Sequence, residues 1–178
     1  MLITISRRFL LPLSLKQDDV PENEGTNAKV LSYLLKEEND NYKKIDVGSG
    51  DDKVDALLKS IVEEDPTIRV VLDVGAQILR ANNEVAEKLL QLGRERDHSL
   101  QAAVYFDGHD ELVVLMSDGS TELLQFSPFV KQLDKCFVYL DESHTRGTDL
   151  KLPIGSRAAV TLGPGLTRDR LVQGGRWL

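Results

Sequence analysis

Four short runs of mostly apolar residues stand out after residue 68, and each is followed by a polar or glycine-containing turn. They are "IRVVLDV" (68–74), "AAVYF" (102–106), "CFVYL" (136–140) and "RAAVTLG" (157–163). Continuous runs of this kind, rich in β-branched and aromatic residues, are typical of strands that are buried on both faces of a parallel sheet. We therefore predict a mostly parallel sheet with these four strands at its centre.

Helical periodicity marks the segments between and before these strands. In "DDKVDALLKSIVEED" (51–65) the apolar residues recur at helical spacing, and acidic residues at the start favour the helix dipole. A second helix is predicted over 76–92, with Asn82 or Asn83 as its N-cap and Gly93 as its terminator. A strand, a helix and a parallel strand in succession form a right-handed crossover by default, so the chain is predicted to be α/β.

The segment 111–126 interrupts this alternation. Asp118 and Gly119 stand between two apolar runs, which is a strong signal for a β-hairpin. We predict an antiparallel hairpin inserted after the second core strand. The next segment, "SPFVKQLDK", predicts a short helix over 128–134, with Ser127 as the cap and a proline in the first turn.

The first 50 residues have few periodic apolar positions and several polar runs, such as "KQDDVPENEGTN". We expect residues 1–50 to form a poorly packed, irregular N-terminal arm, and residues 51–178 to form the α/β domain. A final helix is predicted to begin near Thr167. The sequence stops before a closing turn, so we expect a domain truncated at its C-terminal helix and a larger parent protein.

Composition narrows the classes of function. The 178 residues include 29 acidic and 22 basic side chains, a net charge of −7, so a dedicated nucleic-acid binder is not expected. One cysteine excludes an internal disulfide framework. Because no apolar stretch approaches about 20 residues and no signal-peptide pattern is present, we expect an intracellular, cytoplasmic protein without a membrane span. His98, His109 and His144 lack metal-ligand spacing, so neither a metal nor another cofactor is expected.

The most informative stretch is "VYLDESHTRGTDLKLP" (138–153). Asp141, Glu142 and His144 follow an apolar strand and resemble the D-E-x-H motif of helicase ATPases. In those enzymes the aspartate orients magnesium and the glutamate activates water, but both depend on a G-x-x-x-x-G-K-[ST] phosphate loop. This sequence contains no such loop. The glycine cluster "VGSGDDK" (47–53) places two aspartates where phosphates would bind.

A second resemblance covers residues 136–176. Arg146, Gly147 and Asp149 match the R-G-x-D turn in the C-terminal lobe of helicase-type ATPases, and the next strand leads to a helix with Gln173 and Arg176. The resemblance implies that an arginine of this helix reaches a nucleotide held by another lobe. Arg176 lies one position early, and the last arginine of the motif is absent. The alternative is that these polar residues only solvate a strand end and form a tight turn.

Cys136 is the only thiol that could act as a nucleophile, and His144 is the nearest histidine in sequence. The strand between them separates the two by roughly 13 Å or more, because a strand rises about 3.3 Å per residue. Cys136 also begins its strand, at the edge opposite the expected site. We therefore favour a buried, inert cysteine.

Several blocks of the chain are similar to one family of proteins. The blocks are "RFLLPLSLKQDDVPENEGTNAKVLSYLLKEEND", "VVLDVGAQIL", "SPFVKQLDKCFVYLDESHTRGTDLKLP" and "RAAVTLGPGLTRDRLVQ". Over about residues 8–173 the chain resembles large, mostly fungal proteins known as ubiquitinyl hydrolases. That resemblance implies a cysteine-type deubiquitinase, with ubiquitin or a ubiquitinated protein as partner.

Two hypotheses from different classes of function follow. In the first, the chain is a fragment of a ubiquitin-processing thiol hydrolase, for which Cys136 and His144 are the candidate catalytic residues. In the second, it is a helicase-like lobe that binds a nucleotide or a partner within a large multidomain protein. Under both hypotheses we expect the isolated chain to be inactive, because the histidine is too far from the thiol and no phosphate loop is present.

Overall fold

The computed structural model describes residues 2–3, 32, 36, 42–44, 51–65, 67–146, 150–153, 156–167, 170–171 and 173. The chain has the predicted α/β fold. Two α-helices lie on its sheet, α1 (Asp51–Glu64) and α2 (Asn82–Arg96). The strands are β1 (Leu2–Ile3), β2 (Tyr42–Lys43), β3 (Ile68–Leu72), β4 (Ala102–Phe106), β5 (Leu112–Met116), β6 (Thr121–Leu123), β7 (Cys136–Leu140) and β8 (Arg157–Thr161).

The four predicted core strands form the parallel centre of the sheet. The strand order is β2-β1-β8-β3-β7-β4-β5-β6, and β8, β3, β7 and β4 are mutually parallel. Strand β7 lies between β3 and β4, with Val138 opposite both Val70 and Val104. All five residues of β7 are buried. The predicted parallel core, with 136–140 away from an exposed edge, is therefore confirmed.

The inserted hairpin is also confirmed. Strand β5 pairs antiparallel with β4, and β6 pairs antiparallel with β5. Gly119 adopts a φ of 84°, a left-handed conformation that glycine tolerates, at the turn between β5 and β6. The hairpin extends the sheet on the side of β4.

Helices α1 and α2 pack together on one face of the sheet. The apolar stripe of α1, including Leu58 and Ile61, contacts the same core as Val85 and Leu89 of α2. The predicted start of α2 at 76 and its end at Gly93 were wrong. The helix starts at Asn82 because residues 73–78 fold into a separate turn, and it continues through Gly93 to Arg96.

The predicted capping role of Asn82 or Asn83 was also wrong. Ala81 is the N-cap residue of α2, and no side chain caps the helix there. Gly93 meets a packing requirement instead of ending the helix. A Cβ atom at this position would lie 2.7 Å from Leu100 Cδ1 and 3.1 Å from the ring of Phe137.

Short turns pack on the opposite face of the sheet, and the single short helix predicted over 128–134 is divided into two pieces there. Two 3₁₀ turns, Pro128–Lys131 and Leu133–Lys135, occupy this segment. They are separated by Gln132, whose backbone (φ −134°, ψ 41°) is not helical. The buried side chains of Phe129 and Leu133 pack into the core. The Ser127 hydroxyl accepts a hydrogen bond from Phe129 N at 3.3 Å, which confirms the predicted cap.

Most of residues 1–50 lie outside the described residues, so the poorly packed arm and the domain boundary at residue 51 stay predictions. The described pairs Leu2–Ile3 and Tyr42–Lys43 add two antiparallel strands beside β8. Across the described part of the chain, none of the helices has the length and apolar character needed to cross a membrane.

Candidate functional site at the carboxyl edge of the sheet

The carboxyl ends of the parallel strands bring polar residues from distant parts of the sequence to one edge. Asp73 follows β3, Phe106 ends β4, Asp141 follows β7 and Thr161 ends β8. In open α/β sheets this edge is where ligands bind. The edge carries two groups of polar contacts, one centred on Asp141 and the other on Asp73.

In the first group, both carboxylate oxygens of Asp141 make polar contacts. Its Oδ1 accepts hydrogen bonds from His144 N at 3.0 Å and contacts His144 Nδ1 at 2.6 Å. Its Oδ2 accepts a bond from Asn82 Nδ2 at 2.7 Å, and Asn82 also donates to Phe106 O at 2.9 Å. Asn82, the residue predicted as a cap, therefore links the start of α2 to the ends of β4 and β7.

His144 is held on three sides. Its ring stacks on Phe106 with centroids 3.9 Å apart and planes 5° from parallel. Its Nδ1 contacts Asp141, and its Nε2 lies 3.2 Å from Oδ1 of Asp110, an exposed residue with a φ of 59°. Because carboxylates only accept hydrogen bonds, both contacts are hydrogen bonds when the imidazole is protonated on both nitrogens.

Glu142, two residues before His144 in sequence, forms ion pairs with two arginines. Its Oε1 is 3.3 Å from Nη2 of Arg146 and 3.6 Å from Nη1 of Arg170. Arg146 belongs to the loop after β7, whereas Arg170 belongs to the helical turn after β8. The turn begins near Thr167, as predicted, and Thr167 Oγ1 accepts a hydrogen bond from Arg170 N at 3.3 Å. Two separate segments thus bring a guanidinium group to one carboxylate.

These contacts bear directly on the D-E-x-H hypothesis. The carboxylate of Asp141 orients His144 and Asn82, and Glu142 is paired with arginines. Neither side chain is presented alone to solvent as a magnesium ligand or a general base would be. No group of three or more potential metal ligands occurs among the described residues. The contacts of Asp141 and Glu142 therefore differ from the roles that the D-E-x-H resemblance implies for them.

The second group is centred on Asp73, which the sequence analysis missed as a polar centre. Its side chain accepts hydrogen bonds from Gln77 N at 2.8 Å, from Ile78 N at 3.0 Å and from the Thr161 hydroxyl. Asp73 is 3% exposed. It therefore shapes the turn between β3 and α2 and ties it to β8. The sequence does contain a signal for this turn, because Asp73 follows an apolar run and is followed by Val-Gly. The prediction instead included Asp73 in the strand.

The structure does not bring the two candidate catalytic residues together. Cys136 and His144 lie at opposite ends of β7, and the strand alone spans roughly 13 Å. Cys136 is fully buried in the hydrophobic core, and its Sγ donates a hydrogen bond to the backbone oxygen of Gln132 at 3.6 Å. Burial raises the pKa of the thiol to about 12, with a smaller contribution from the nearby charge of Asp134. The geometry favours the inert interpretation of Cys136.

We predict that Cys136 is unreactive in the folded chain. A thiol whose pKa is about 12 has almost no thiolate at pH 8, and thiolate is the reacting form. Labelling with a thiol-specific disulfide reagent at pH 8 is expected to be at least about 100-fold slower in buffer than in concentrated urea, where the pKa returns to its ordinary range. Fast labelling of the folded chain would show that the thiol is exposed and activated.

Three of the predicted nucleotide-motif residues lie outside the described residues, namely Gly147, Asp149 and Arg176. Gln173 is helical and exposed. The described part of the motif is therefore Asp141, Glu142, His144, Arg146 and Gln173. To these the structure adds Asn82, Asp110 and Arg170, which sequence spacing could not connect to the motif because they come from three other segments.

A groove of about 460 Å³ lies elsewhere, between α2 and the β5-β6 hairpin. Its floor includes Tyr105 and Leu115, and Glu87 and Arg94 of α2 form one wall. Burial, with a contribution from Asp107, raises the pKa of the Tyr105 hydroxyl. The residues that line this groove do not include Asp141 or Glu142.

No protein-family model matches the chain, and no curated protein or solved structure is significantly similar to it. The resemblances to ubiquitinyl hydrolases and to the helicase lobe therefore stay predictions.

Proposed function

We propose that this chain is a helicase-like binding lobe of a larger protein, and that the carboxyl edge of its sheet contacts a nucleotide polyphosphate held by a partner lobe. The observation that carries the proposal is the convergence of Arg146 and Arg170 beside the Asp141–His144 pair, at the end of the central strand β7. Ligands of parallel sheets bind at this edge.

The arrangement suits binding rather than turnover. Phosphoryl transfer depends on positioning the phosphates and neutralising their charge, and a phosphate loop usually does the positioning. The sequence has no G-x-x-x-x-G-K-[ST] loop. The arginines can supply positive charge, but a second lobe must hold the nucleotide. The partly exposed side chains of both arginines fit a site that is completed by another domain.

The thiol-hydrolase hypothesis receives less support. Its nucleophile would have to be Cys136, the single cysteine of the sequence, which is buried and far from His144. A nucleophilic cysteine needs an imidazole within hydrogen-bond reach. If the parent protein processes ubiquitin, as the family resemblance implies, we propose that the nucleophile lies in another part of it. Ubiquitin or a ubiquitinated protein would then be a partner of the parent, in a reducing, cytoplasmic compartment.

The first test measures binding without hydrolysis. Titration of the purified chain with magnesium-ATP in a calorimeter is expected to show weak binding, with a dissociation constant of about 1 mM. Binding should be weak because the chain supplies only part of the proposed nucleotide site. Arg170→Gln should weaken this binding several-fold. The matched control is Arg94→Gln, which removes the same charge from the wall of the groove on α2. No phosphate should be released above the background without protein.

Two outcomes would contradict the proposed function. If Arg94→Gln weakened ATP binding and Arg170→Gln did not, the nucleotide would bind in the α2 groove instead. If the chain released a fluorophore from a ubiquitin conjugate and Cys136→Ala abolished that release, the thiol-hydrolase hypothesis would replace the lobe.

A further inference from the structure

The carboxylate of Glu142 lies where two positively charged groups of the edge converge. One oxygen, Oε1, faces both Arg146 Nη2 at 3.3 Å and Arg170 Nη1 at 3.6 Å. A guanidinium group is a planar fork that matches the geometry of phosphate as well as carboxylate. A phosphate oxygen could therefore occupy the position of this carboxylate oxygen, between the guanidinium groups of Arg146 and Arg170.

The contacts that hold Glu142 in place are weak enough to be exchanged. The Glu142 side chain is 32% exposed, and those of Arg146 and Arg170 are 41% and 51% exposed. Exposed ion pairs of this kind contribute little to stability. A terminal phosphate carries more charge than a carboxylate and offers three acceptor oxygens, so it can form charge-assisted bonds to both arginines at once.

We propose that Glu142 is an internal anion that occupies a polyphosphate site formed by Arg146 and Arg170, and that an incoming polyphosphate must displace it. This inference rests on the proposed function, since it assigns the phosphate contacts of that site to two residues. Glu142 then lowers the affinity of the isolated lobe for polyphosphates. In the parent protein, the nucleotide held by the partner lobe would provide the competing charge.

Other acidic side chains lie at the same edge. Asp141 and Asp110 contact His144, two residues after Glu142 in sequence, and the sequence carries a net charge of −7. These carboxylates repel a polyphosphate, so the arginines are its main attraction at this edge. Adding salt should weaken binding, because the interaction takes place at the surface and is screened.

The test compares Glu142→Gln with a matched variant. Glu95→Gln removes the same charge from an exposed position near the end of α2, at the opposite edge of the sheet. Calorimetric titration uses two probes separately, inorganic tripolyphosphate and magnesium-ATP. We expect Glu142→Gln to bind tripolyphosphate about tenfold more tightly than the unmodified chain, and Glu95→Gln to change binding by less than about twofold. Adding Arg170→Gln to Glu142→Gln should remove the gain.

The outcomes separate the two proposals. Equal tripolyphosphate affinities for Glu142→Gln and Glu95→Gln would overturn the internal-anion inference. If ATP still bound in an Arg170-dependent way in that case, the proposed lobe function would stand. If instead Glu142→Gln gained affinity for tripolyphosphate but ATP bound no more tightly than tripolyphosphate, the anion site would stand and the nucleotide function would fail. A circular dichroism spectrum of each variant confirms that the fold is retained.

Discussion

Replacement of Gly163 by alanine is expected to lower the free energy of unfolding by about 3 kcal/mol. Gly163 follows β8 and lies against the turn that follows β3. A Cβ atom on Gly163 would come within 3.0 Å of the carbonyl oxygen of Gly75 and the side-chain amide of Gln77. Gln77 itself donates to Gly75 O at 2.6 Å, so the obstacle includes a hydrogen-bonded turn with little freedom to move.

A urea unfolding curve followed by circular dichroism measures this effect. The matched control is Gly108→Ala, because no atom lies within 4 Å of a Cβ at that position and its φ is not left-handed. That variant should be within about 1 kcal/mol of the unmodified chain. In thermal unfolding, Gly163→Ala should lower Tm by about 6–12 °C for a chain of this size. Equal stability of the two variants would contradict the close approach of the β3 and β8 loops.

The second large effect is expected for Asp73→Ala, which should lower the free energy of unfolding by about 3–4 kcal/mol. The alanine would leave two backbone N–H groups, of Gln77 and Ile78, and the Thr161 hydroxyl without their acceptor. Thr161 is fully buried, and Asp73 is nearly so. Water therefore cannot readily replace the carboxylate.

Thr161→Val provides the companion variant, because valine keeps the shape of threonine and removes only the hydroxyl. In a double-mutant cycle the two changes should be non-additive by about 1 kcal/mol or more, since they remove the same hydrogen bond. Additive effects would show that Asp73 and Thr161 act independently. A loss of less than about 1 kcal/mol for Asp73→Ala would contradict the role of Asp73 in shaping the turn.

The sheet could be predicted from the sequence because burial on both faces leaves a direct signature. Runs such as "CFVYL" have no polar position that could face solvent, so they require neighbours on each side and layers above and below. The hairpin at Gly119 was predictable for a different reason, since its tight turn requires a residue that tolerates a positive φ. Both signals lie within a few consecutive residues.

The predicted bounds of α2 were wrong, and the single helix predicted over 128–134 is divided, because contacts in the folded chain override the local sequence pattern. The turn at Asp73 delays the start of α2, and Thr161, which helps to hold Asp73, is 88 residues away. Gly93 looks like a helix terminator in sequence but is required because Phe137 packs against it. At 128–134 the cap residue and the proline of a helix start were present, yet the backbone of Gln132 is not helical and divides the segment into two 3₁₀ turns.

Only the part of the candidate site that lies within one short segment could be predicted from the sequence. The stretch from Asp141 to Arg146 could be located because it directly follows a core strand. Its partners Asn82, Asp110 and Arg170 come from three other segments, and only the parallel arrangement of β4, β7 and β8 brings them to one edge. Their association changes the interpretation of the motif, because Asp141 orients a histidine and Glu142 pairs with arginines.

The carboxyl edge of the sheet, and not the thiol at the opposite edge, is the ligand-binding surface that we propose. The most direct measurement is a map of backbone amide chemical shifts during titration of the labelled chain with magnesium-ATP. We expect the shifts to be concentrated in 107–111, 141–146 and 163–167, with 97–101 and 133–136 at the opposite edge unchanged. Shifts centred on 133–136, or on the α2 groove around Arg94 and Gly119, would contradict the claim.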